Sequence, residues 1–113
     1  MVSSIRTIVY PVKDFERAKM FFSKLLGVEP YVASSFYVGF KIGDLEVGLD
    51  PSGHRAGATV YYLVDNLKQS LQSLLDAGAQ IQQDAKDIGG DAQTVIVRDV
   101  DGNLIGLFGP KPA

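Results

Sequence analysis

Glu46 and Asp50 stand two residues to either side of Gly48 in the run L-E-V-G-L-D at 45–50. Side chains alternate along a strand, so both carboxylates share a face with the glycine while Val47 and Leu49 take the other. Carboxylates on an apolar face can do two kinds of work. They can accept hydrogen bonds from an amine or cationic group, or one of them can act as a desolvated general base. Glu46 is the candidate for the second role; Asp50 precedes Pro51 and also reads as a cap on the linker at 51–57. Aromatic residues that could line such a face are Tyr37, Phe40, Tyr61 and Phe108.

The remaining inventory excludes more than it offers. The 113-residue chain has no cysteine, so disulfides, thiolate catalysis and sulfur-ligated metals are all excluded. His54 is the single histidine, which rules out a histidine-rich metal site within one chain. It lies beside Arg55 in a Pro- and Gly-containing stretch and reads as a solvated loop residue. The net charge of −2 with no clustered Lys or Arg gives no nucleic-acid footprint. No run reaches the about 18 apolar residues of a membrane span, and the N-terminal residues lack a secretory pattern. A cytoplasmic protein with neither nucleic-acid nor membrane partners is expected.

The elements that must position these residues can be read along the chain. Alternating β-branched residues predict a strand over 5–12; Asp14 then caps a helix carrying Phe15, Ala18, Phe22 and Leu25 on one face and ending at Gly27. Short strands are expected at 30–33, 36–42 and 45–50, with Gly43-Asp44 as the tight turn between the last two. Residues 51–57 read as a linker. The order then repeats: a strand over 59–64, a helix capped by Asn66 and striped by Leu67, Leu71, Leu74 and Leu75, a weak strand at 80–83, and strands at 94–98 and 104–108. Arg98 is expected to pair with Asp99 or Asp101, and Asp99 to Asn103 to form a turn. Gly89-Gly90 reads as a loop, and the tail from Gly109 is not expected to extend the last strand.

The repeat is visible in the residues themselves, T-I-V-Y-P-V-K-D from Thr7 and T-V-Y-Y-L-V-D-N from Thr59. One domain over 1–113 is expected, built from βαβββ units at 4–50 and 58–109. Parity with Thr7 puts Val9 on the face of the first strand away from its helix. The same parity puts Tyr61 with Thr59, and Leu104 and Phe108 with Gly106. Tyr10, Val12, Tyr62 and Val64 then pack under the helices. For the strand at 36–42 two parities stand open, one offering Phe36 and Phe40, the other Tyr37 and Lys41.

V-K-D-F-E-R-A-K-M-F-F-S-K-L-L-G at 12–27 and D-V-D-G-N-L-I-G-L-F at 99–108 resemble the vicinal oxygen chelate superfamily of glyoxalase, bleomycin-resistance and extradiol-dioxygenase proteins. The resemblance covers essentially the whole chain, with Val100 where the family pattern usually has Pro. It implies an α+β fold of two tandem βαβββ units, whose curved mixed sheets form a cup-shaped cavity. It also implies metal ligands on the first and last strand of each unit. Those positions correspond here to Thr7, Gly48, Thr59 and Gly106. A threonine hydroxyl is a poor ligand and glycine offers no side chain, so neither a metal nor another cofactor is expected.

The expected ligand-binding set is therefore Thr7, Val9, Tyr37, Phe40, Glu46, Gly48, Thr59, Tyr61, Leu104, Gly106 and Phe108. The expected function is sequestration of a small amphipathic or aromatic molecule, as in the bleomycin-resistance branch, without chemistry. A metal-independent lyase or isomerase using Glu46 as base is the alternative, and a degenerate association module a third reading. Half-covered sheets with short edge strands also predict a homodimer.

Overall fold

β1 (Val2–Pro11), α1 (Phe15–Leu26), β2 (Val32–Ala33), β3 (Val38–Ile42) and β4 (Leu45–Asp50) come first along the chain. β5 (Thr59–Val64), α2 (Leu67–Asp76), β6 (Gln80–Gly89), β7 (Ala92–Arg98) and β8 (Leu104–Pro110) repeat that order. The computed structural model describes residues 2–51 and 57–111; His54 and Arg55 lie outside the described residues. Two compact units divide the chain, one formed by residues 7–59 and the other by 60–111 together with 2–6.

In the unit of residues 7–59 the strand order is β2-β3-β4-β1. β4 pairs with β1 in parallel and with β3 antiparallel. α1 begins where the Asp14 carboxylate accepts the Arg17 amide at 3.0 Å, and ends at Gly27, whose φ of 72° is left-handed. Such a φ is disfavoured for residues with a Cβ, so glycine stops the helix there. The helix packs Phe15, Ala18, Phe22 and Leu26 on Val38, Phe40, Val47 and Leu49. Tyr10 and Val12 meet the same helix, with the Tyr10 and Phe22 ring centroids 5.0 Å apart. Each fully buried side chain in such a cluster contributes about 1.5–3 kcal/mol.

Two expectations change here. Leu26 takes the place assigned to Leu25, which is 64% exposed. Residues 15, 18, 22 and 26 advance by three, four and four and so stay on one side of the helix, whereas 25 rotates outward. Phe40 is completely buried in the helix-side cluster. It therefore lies on the face opposite Glu46 and Gly48 and cannot line that face; Tyr37 and Lys41 have the parity that does.

The unit containing residues 60–111 has the order β5-β8-β7-β6, the same connectivity as its counterpart. Asn66 caps α2 by accepting the Gln69 amide at 3.0 Å. Val64, Leu67, Val95, Val97 and Leu107 form its core, with Tyr62, Leu71 and Leu74 packed against them. β6 is longer than its sequence pattern implies. It runs through Gly89 and pairs with β7 across three register irregularities. All ten of its residues are exposed, so no alternating apolar signal marks it. Gly90 and Asp91, with φ of 60° and 61°, form a hairpin turn where a loop was expected. β8 continues to Pro110, which pairs with Ala92. Arg98 donates to Gln80 across the β6–β7 pair at 3.3 Å rather than to Asp99 or Asp101. Among the described residues no helix is long and apolar enough to cross a membrane.

Candidate functional site

Glu46 is the focus of the unit of residues 7–59. Register places it opposite Thr7 on β1 and opposite Lys41 on β3. Its side chain is buried, 8% exposed, and Thr7 is equally buried beside it. A buried carboxylate must be hydrogen-bonded to persist as the anion. Here the Tyr31 hydroxyl donates to one oxygen and the Tyr37 hydroxyl to the other. The Lys41 ammonium lies 4.9 Å from the centroid of the Tyr31 ring, a cation–π contact on the same phenol.

Two glycines make room for Tyr37. Gly39 and Gly48 are register partners on β3 and β4. A Cβ at Gly48 would overlap the Tyr37 hydroxyl, and one at Gly39 would lie 3.1 Å from the Tyr37 ring and 3.2 Å from Glu46. The glycine pair thus forms the seat on which the phenol lies while it reaches the carboxylate. Val9 stands opposite Gly48 and Asp50 opposite Pro11.

The other unit solves the same problem with a different strand. Gly106 on β8 is the register partner of Tyr61 on β5, and the Tyr61 ring occupies the space a Cβ at Gly106 would need. Phe108 is two residues further along β8, opposite Leu63. The Arg6 guanidinium sits 5.1 Å from the centroid of its ring. Leu104 is half-buried at the start of β8, Thr59 is buried at the start of β5, and Ile96 is buried opposite Gly106. Tyr61 corresponds in the repeat to Val9, so one unit covers its glycine from the adjacent parallel strand. In the other unit the small Val9 leaves that role to Tyr37. The space expected above the two glycines is filled by the chain's own phenols.

Tyr31 is the partner of Glu46 that the sequence reading missed. It precedes a two-residue strand, and its amide donates to the Gly39 carbonyl at 2.9 Å. The available signal was a second tyrosine in the short segment that must pair with the strand following Tyr37.

The resemblance implies a metal, and the donor set decides whether one fits. Divalent ions need imidazole, carboxylate or thiolate donors. Gly48 and Gly106 supply no side chain, Thr7 and Thr59 only hydroxyls, and both Glu46 oxygens already accept a phenol hydrogen. Among the described residues no group of three or more His, Cys, Asp or Glu side chains comes together. These residues do not fit a resident divalent metal.

Solved structures share this fold at low identity. A Mn(II)-bound glyoxalase from Novosphingobium aromaticivorans matches with a TM-score of 0.77 and 20% identity, over 99% of this chain and 42% of that one. A glyoxalase/bleomycin resistance protein/dioxygenase superfamily member from Vibrio splendidus 12B01 matches at 0.73 and 16%, over 94% and 99%. Methylmalonyl-CoA epimerase from Mycobacterium tuberculosis matches at 0.70 and 17%, over 98% and 90%. No curated protein matches the chain. A family model matches residues 4–107, and the chain belongs to the Glyoxalase/Bleomycin resistance protein/Dioxygenase superfamily.

Proposed function

We propose that the protein binds a small amphipathic or aromatic organic molecule without a metal, on the sheet face that carries Glu46. The observation supporting this reading is the buried Glu46 carboxylate held between the Tyr31 and Tyr37 hydroxyls. The phenols fix the carboxylate in one orientation and surround it with aromatic surface. That combination of a negative charge and aromatic faces suits an aromatic amine. Sequestration of the bleomycin-resistance kind results if the bound molecule leaves unchanged. Homodimerisation, with no nucleic-acid or membrane partner, belongs to the same proposal and is checked by sedimentation velocity.

Isothermal titration of the full chain with phenethylamine, tryptamine and metal-free bleomycin, in EDTA, tests the binding reading. Saturable binding of at least one is expected, with Glu46→Gln weakening it about tenfold or more. Absence of binding by all three, or binding that requires added manganese, nickel or zinc, overturns it.

A second reading draws on the same contacts. A buried carboxylate with a phenol in reach could take a proton next to a carbonyl while tyrosine polarises the oxygen, as a metal-independent lyase or isomerase would. Both Glu46 oxygens accept a phenol hydrogen, so a tyrosine hydroxyl stands beside the carboxylate that would take the proton. Deuterium from solvent entering a bound carbonyl compound, and lost in Glu46→Gln, would select catalysis over sequestration.

A further inference from the structure

The outer face of α1 carries apolar surface that the buried cluster beneath the helix does not use. Met20 is 71% exposed, Phe21 61% and Leu25 64%. Phe21 and Leu25 keep i, i+4 spacing and so stand on one side of the helix. Phe21 is not a loose side chain, since its ring stands edge-on to that of Phe22, 5.3 Å between centroids, and Phe22 is anchored in the core.

Alongside lies an open groove of about 650 Å³ between α1 and the 29–33 segment, within the range of small-molecule sites. Met20 and Phe21 provide apolar wall; Arg17, Lys19, Lys24 and Glu29 are its charged groups. Three of the four are cations, in a chain whose net charge is −2. Lys19 is engaged by Glu16 at 3.0 Å, and Arg17 only loosely by Asp14 at 4.0 Å. Among the described residues Lys24 makes no ion pair. Arg17 and Lys24 stand four residues before and three after Phe21, on its own side of the helix.

We propose that this groove is a second ligand site, for a free small amphipathic anion. Its alkyl or aryl body lies across Met20 and Phe21, and its carboxylate or sulfonate is held by Lys24 and Arg17. The charge sign is opposite to that of the amine proposed for the Glu46 face, and the two sites share no residue.

Fluorescence titration of the full chain with 8-anilinonaphthalene-1-sulfonate tests the site. Decanoate and decyltrimethylammonium serve as competitors of like tail and opposite charge. Saturable binding is expected, displaced by decanoate and not by decyltrimethylammonium. The double variant Arg17→Gln/Lys24→Gln should weaken it about tenfold. Phe21→Ser should abolish binding with unchanged circular dichroism, because the ring is exposed, and Glu46→Gln should leave affinity unaltered. Equal displacement by both competitors, or no effect of the double variant, overturns the proposal. So does weakening by Glu46→Gln, which would put the probe on the other face. A dimer that Phe21→Ser dissociates, or preference for phosphatidylglycerol vesicles over free decanoate, would assign the face to a second copy or to a membrane and equally overturn it.

Discussion

Gly48 and Gly106 each leave the space of a side chain to a tyrosine. Because a Cβ at Gly48 would overlap the Tyr37 hydroxyl, Gly48→Ala is expected to cost about 1–3 kcal/mol in urea unfolding, the usual cost of overpacking. It should also pull Tyr37 off Glu46. Tyr37→Phe keeps the ring on its seat and deletes one donor to a buried carboxylate, for about 1.5–3 kcal/mol. Since both changes break the same contact, the double variant should cost less than the sum; strict additivity would show that Tyr37 does not depend on Gly48. At the turn after β7, Asn103 donates to Asp99 from its side chain at 3.0 Å and from its main chain at 2.8 Å. The side-chain bond is the larger cause holding the Asp99 carboxyl below its ordinary value. A depressed carboxyl stabilises the turn above the unfolded carboxylate range, and that contribution disappears as pH falls through the folded value. A carbon-detected titration should show the Asp99 midpoint rising in Asn103→Ala; an unmoved midpoint would remove Asn103 as the cause.

At the scale of elements, α1 is defined by its two ends and by one face. Asp14→Ala removes the acceptor of the Arg17 amide and should cost about 1 kcal/mol in thermal unfolding. Leu26→Ala should cost about 2 kcal/mol and Leu25→Ala under about 0.5 kcal/mol, because only Leu26 packs on the sheet. Equal losses would mean that the helix sits rotated from the position described. Caps and hairpin turns are local, and Asp14, Gly27, Asn66 and Gly43-Asp44 were all legible as such. β6 was legible only over 80–83; its extension to Gly89 was not, because its residues are exposed and its pairing is interrupted by bulges. Nothing in the composition of 84–89 separates a solvated edge strand from a polar loop. The parity of β3 was open for a related reason. Val38 and Phe40 are apolar, but so are Tyr37 and Gly39 in part, and only docking of α1 selects the buried pair.

For the whole molecule, the proposed metal independence has a direct consequence. A resident metal that binds only the folded chain would add stability by mass action. Dialysis against EDTA, and then addition of manganese, nickel or zinc, is expected to leave the thermal midpoint unchanged; a reproducible rise with one metal would reverse the reading. The sequence alone determined the repeat, the helix boundaries and the identity of Thr7, Gly48, Thr59 and Gly106, because these rest on short-range periodicity and on counting from the helix caps. Tertiary structure decided what stands over those positions. Tyr31 and Tyr37 reach Glu46 from 15 and 9 residues away in sequence. No local pattern encodes contacts made across paired strands. They depend on which side of each pleat faces the helix, and burial against α1 settles that for β3 and β4 together.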